Sequence, residues 1–211
     1  RAGNLTCGGG SLALPALIVD EGVTLICDSV SLTQNADQPL TLVQRGGTLL
    51  TERLVTDGTV LQSGGVLLAR NFGAPEAVLR GGAALIDWVD AENMQIILSG
   101  GAGYFACALP AGTHIEGGDG SLAVQTLGLY GWGGLDGALI IEDGVHVAAQ
   151  TVQLDSAGGG EAAAEIAGEL TCAGEVWMKN AALTVSGELR ADGAVSIERG
   201  RVEITDGTVY L

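Results

Sequence analysis

Side chains able to do chemistry are concentrated in one part of this 211-residue sequence. Asp87, Trp88, Asp90 and Glu92 lie close together, Tyr104 follows, and Tyr130, Trp132 and Asp136 close the set. Flat sugar faces stack on exposed aromatic rings, and carboxylates hold sugar hydroxyls. The set therefore reads as a carbohydrate-contact surface. Hydrolysis would need two of these carboxylates at a separation of about 5–5.5 Å or about 6.5–9.5 Å, which spacing along a chain does not supply.

The other reactive side chains point to less. His114 and His146 are the only histidines, and neither has a Ser or Cys partner in a nucleophile motif. They read as solvated strand residues. Cys7, Cys27, Cys107 and Cys172 have no Cys-x-x-Cys spacing, which argues against zinc or a redox motif. Cys7 and Cys27 are 20 residues apart, so they would stack either as a disulfide or as two buried thiols. Acidic residues recur before glycine, as in Asp57-Gly58, Asp136-Gly137 and Asp206-Gly207. That is turn chemistry: the carboxylate caps its own backbone and glycine takes positive φ. Two stretches approach a calcium-binding nonapeptide, but Leu122 and Phe105 stand where the ligand aspartate belongs. No metal and no cofactor are expected.

The elements that must position these residues are clearest at the C-terminal end. Along 168–211, apolar residues two apart recur as Leu170/Cys172, Val176/Met178, Leu183/Val185, Leu189/Ala191, Val195/Ile197, Val202/Ile204 and Val209/Leu211. Two is the strand period, so each pair faces one side. Glycines 174, 187, 193, 200 and 207 fall between pairs, where a turn needs positive φ or close backbone approach. Leu170 to Leu189 and Val176 to Val195 are each 19 residues, and Leu189 to Val209 is 20. Three short strands per coil of 19–20 residues describe an all-β, single-stranded right-handed parallel β-helix. At about 4.8 Å per coil, ten coils would make a rod about 50 Å long.

The same pattern runs elsewhere. ALIVDEGVTLICDSVSL at 16–32 returns ungapped as ALIIEDGVHVAAQTVQL at 138–154, an offset of 122 residues or six coils. A weaker copy at Thr41 starts 25 residues after the first, so one coil there carries a loop, placed at 33–39. The stretch 66–137 reads as a less regular, loop-bearing middle, with an excursion at Asn71–Pro75. Residues 161–166 read as one helical turn. Coil pattern on both sides of every loop makes 1–211 one domain. The inward column is expected to include Leu17, Val23, Leu25, Val30, Leu139, Ile141, Val145, Val147, Val152, Leu170, Val195, Ile197, Val202 and Ile204.

Composition narrows the partners. The net charge is −16, only nine residues are basic and Lys179 is the sole lysine, so phosphate repulsion argues against nucleic acid. The hydrophobic share of 47% suits a coil that buries half of every strand, and no apolar run is long enough for a membrane span. The abrupt start at Arg1 and the finish at Leu211 inside a strand pair read as a piece of a longer precursor. An open last coil would then carry further coils or meet another copy, with salt promoting association through 195–211.

The mixed six- and seven-residue rhythm with glycine corners resembles the β-helix repeats of large bacterial surface and adhesin-type proteins. That resemblance implies a non-enzymatic structural or adhesive segment of a secreted protein. Its location would be extracellular or on the cell surface, and its partners a polysaccharide or a host or bacterial surface protein. Two other resemblances imply different functions. Pectate-lyase-like enzymes share the helix and act on polysaccharides. Bactofilin, a polymerising scaffold, has coils like those of 168–211.

Overall fold

The structure, a computed structural model, describes residues 3–33, 40–91, 94–109, 113–130, 138–155 and 162–211. The first half contains β1 (Gly3–Leu14), β2 (Leu17–Val19), β3 (Val23–Leu32), β4 (Leu40–Gln44), β5 (Thr48–Thr56), β6 (Thr59–Gly73), β7 (Glu76–Val89), β8 (Gln95–Ala108) and β9 (His114–Tyr130). The second contains β10 (Ala138–Ile141), β11 (His146–Asp155), β12 (Ala162–Ile166), β13 (Glu169–Cys172), β14 (Val176–Lys179), β15 (Ala181–Val185), β16 (Glu188–Ala191), β17 (Val195–Glu198), β18 (Arg201–Ile204) and β19 (Thr208–Tyr210). Every strand pairing among the described residues is parallel, and none of these residues is helical. The chain is a parallel β-helix.

Its register is traced by one column of stacked residues. On the first face the inner column runs Leu5, Leu25, Leu49, Leu67, Ala84, Gly103, Leu122, Val147, Leu170, Leu189 and Val209. Leu25 and Val147, equivalent in the internal repeat, are six rungs apart, as the 122-residue offset requires. The second face stacks Leu12, Val30, Leu54, Phe72 and Val89, then Leu127, Val152, Val176 and Val195 further up. The third stacks Leu17, Leu42, Val60, Ala77, Ile96, Ile115, Ile141, Ile166, Val185 and Ile204. These columns meet in one continuous apolar core.

Several local expectations change. Residues 162–166 form strand β12, not a helical turn, and Glu161 lies outside the described residues. Ala164 and Ile166 are buried beneath Leu183 and Val185, and that packing outweighs the helix propensity of alanine. The excursion expected at Asn71–Pro75 is a corner. β6 runs through Gly73, and Phe72 is fully buried between Leu54 and Val89. Residues 66–108 stack in strands of up to 15 residues. Gly64-Gly65 and Gly81-Gly82 let β6 and β7 bend through a corner, where the register shifts on either side of Ser63 and pairing resumes at Val66 with Ala83. Residues 34–39, where a loop is expected, lie outside the described residues.

Corner glycines are required for two different reasons. Gly47 has φ +64°, and a Cβ there would lie 2.2 Å from the Val23 carbonyl oxygen. Gly187 has no positive φ, yet a Cβ would come 2.1 Å from the Gly168 carbonyl oxygen in the coil beneath. In the C-terminal coils the left-handed positions are taken by Asn180 and Arg199 instead. The inner residues of those coils also differ from the core. Ile197, Val202 and Ile204 keep their inward register but are well exposed in the last described coil. With Val209 and Leu211 they line an apolar mouth of about 240 Å³.

Candidate functional site

Single inward-outward alternation positions most outer side chains, but one corner breaks it. Between the first and second faces two residues in succession turn outward: Glu52-Arg53, Arg70-Asn71 and Asp87-Trp88. Arg53, Asn71 and Trp88 stack in register at this corner. Trp88 is 59% exposed, and Asp87 beside it faces water. One coil above, Tyr104 sits over Leu85 on the first face and is 45% exposed. The ring-bearing positions 88 and 104 are thus one rung apart and three residues apart along the strand, about 11 Å between Cα atoms.

Charge along this corner is mixed. The Arg70 guanidinium lies 2.9 Å from Glu52 Oε2, and Asn71 Nδ2 donates to the Glu52 carbonyl oxygen. Inside the corner, burial raises the Cys107 thiol pKa. A backbone hydrogen bond at Val89 works against that shift, and the nearby Asp87 carboxylate adds to it. Asp90 follows β7 and is exposed. Asp87 and Asp90 therefore stand on an open ridge.

The remaining members of the set separate. Tyr130 ends β9 on the second face, where its backbone pairs with Asp155 of β11, away from the face carrying Tyr104. Glu92, Trp132 and Asp136 lie outside the described residues. Leu122 and Phe105, the residues in place of calcium ligands, are both core side chains. Cys7 and Cys27 stack in register one coil apart, and Cys27 is buried. Cys107 and Cys172 are buried free thiols.

Both histidines have partners that their sequence neighbourhood does not reveal. His114 Nε2 lies 2.9 Å from Glu142 Oε1, and His146 Nδ1 lies 2.6 Å from Glu169 Oε2. Each glutamate is on the coil above, 28 and 23 residues along the chain. Once the register is known those offsets identify them. Among the described residues no helix is long and apolar enough to cross a membrane. No family model matches the chain, and no curated protein or solved structure matches it either.

Proposed function

We propose that the chain is a non-enzymatic structural and adhesive segment of a secreted bacterial cell-surface protein. It would hold a polysaccharide at the corner between its first and second faces. The observation that supports this reading is the exposure of Trp88 and Tyr104 on consecutive coils beside Asp87. Rings facing water on a rigid ladder can stack on sugar faces with no loop to order first. Asp87 supplies an acceptor for hydroxyl groups.

Retention on a panel of immobilised plant, bacterial and host polysaccharides tests the proposal. At least one should bind, and Trp88→Ala should weaken it about tenfold. Tyr104→Phe, which keeps the ring, should bind normally. A panel with no retained member contradicts the adhesive reading. Release of shorter chains, lost in Asp87→Asn, would replace it with a polysaccharide-active enzyme.

A further inference from the structure

Outward positions of a β-helix face water, so large apolar side chains stacked there call for a physical reason. Ile26, Leu50, Leu68, Leu85 and Tyr104 stand one above another on the first face, in unbroken register. All except the half-buried Leu68 are 38–45% exposed. The column on one side of them, Thr24, Thr48, Val66, Ala83 and Ala102, carries no charge. On the other side lies the charged edge with Glu52, Arg70 and Asp87. An apolar stripe with one polar margin has the form of an interaction surface.

We propose that this face binds a second copy of the chain, with the two rods antiparallel. The rung spacing of about 4.8 Å is the same on both copies, so the side-chain rows of the two stay level with one another along the contact. Charge selects the register. A two-fold axis along the strand direction, passing between the rungs of Leu68 and Leu85, sets each Leu68 against Leu85 of the other copy. It also sets each Arg70 against Asp87 of the other copy, twice over. This arrangement overlaps the coils from the rung of Leu5 to the rung of Val147 and carries the coils of Leu170, Leu189 and Val209 outward.

The contact is a weak one. Six rungs by five residues give a footprint of about 24 Å by about 16 Å, or about 800 Å² for the two copies together, below the ~1,200 Å² of stable interfaces. Trp88, beyond Asp87 on the corner, lies outside it. Asp87 and Tyr104 belong to both surfaces, so dimer and polysaccharide would compete for them, whereas Trp88→Ala should weaken polysaccharide binding and leave the dimer unchanged.

Sedimentation velocity of the full chain over a concentration series, at about 0.15 M salt, tests the proposal. Wild type should show a reversible monomer–dimer equilibrium. Leu50→Glu, Arg70→Asp and Asp87→Arg should each weaken it about tenfold. An equimolar mixture of Arg70→Asp with Asp87→Arg should restore it, because each copy then supplies what the other lacks. That rescue separates a lost contact from a damaged fold. A chain that stays monomeric to about 1 mM overturns the proposal. So does a dimer that none of the three variants changes, as association through the apolar mouth at Val209 would be. Binding of a monomeric chain to phosphatidylcholine vesicles, abolished by Leu50→Glu, would assign the stripe to lipid and overturn it too.

Discussion

Gln44 lies directly beneath Gln62 in the core, both fully buried and paired in register between β4 and β6. Gln44 Nε2 donates to the Val66 carbonyl oxygen at 2.8 Å, and Gln62 Nε2 donates to that of Ala83 at 2.9 Å. Each amide thus reaches into the coil above and ties its corner down. Both Oε1 atoms are buried without a hydrogen-bond partner. Such atoms cost free energy, so the ladder trades stability for a fixed register. Gln62→Leu removes the two bonds to the Gly65 and Ala83 carbonyl oxygens together with one orphaned oxygen, and should change stability by no more than about 1 kcal/mol. Gln62→Glu buries a carboxyl group, which should cost about 3 kcal/mol at neutral pH and less in acid, where it is protonated. Urea unfolding at both pH values checks this, and equal costs would show that the site is wet.

Core and end positions of the same inward register should respond differently. Ile166 is 2% exposed, stacked between Ile141 and Val185. Ile166→Ala should cost about 2–5 kcal/mol through lost burial and the cavity left behind. Ile197 is 47% exposed. Ile197→Ala should cost no more than about 1 kcal/mol, because little apolar area leaves the core. Comparable losses in the two variants would mean that something covers the last coils in solution.

Cys172 provides a pH test. Burial raises its thiol pKa above the ordinary 9.0, and hydrogen bonds with the backbone at Gly174 and Val152 offset only part of that shift. The unfolded chain therefore loses this proton first as pH rises. The thiol's contribution to stability is complete below the unfolded pKa and is lost as pH climbs through the higher folded value. The stability gap between wild type and Cys172→Ala should be full at about pH 7 and smaller at about pH 10. Denaturant melts at the two values measure it, and a gap that widens in alkali contradicts the assignment.

The architecture is legible in the sequence wherever each strand carries a single apolar pair. Leu170, Leu189 and Val209 fall in one column as their spacing implies. The long strands are harder to read. In β6 and β7 the glycine doublets interrupt the alternation, so continuous strand resembles loop. Runs such as Leu49-Leu50 and Leu67-Leu68 put one leucine inside and the next outside. Hydrophobicity alone does not separate these, and the apolar outer stripe stays hidden until the register is known. Coil lengths between 17 and 26 residues likewise conceal which glutamate meets each histidine. Of the candidate site, the exposure of Trp88, Tyr104 and Asp87 is what the sequence suggests. The corner that turns Asp87 and Trp88 outward together is a feature of the fold.

Uninterrupted stacking in register is the claim on which the faces, the corner and the interface all depend. On the third face Glu76, Gln95, His114, Ile140, Glu165, Thr184 and Glu203 form one outer column, away from the proposed contacts. Spin labels at Glu76→Cys with Glu165→Cys span four rungs, and those at Glu76→Cys with Glu203→Cys span six. Pulsed dipolar spectroscopy should give one narrow distance for each pair, near about 19 Å and about 29 Å. The difference of about 10 Å for two rungs does not depend on the label linkers. Broad distributions, or a second distance no longer than the first, would contradict a single rod of stacked coils.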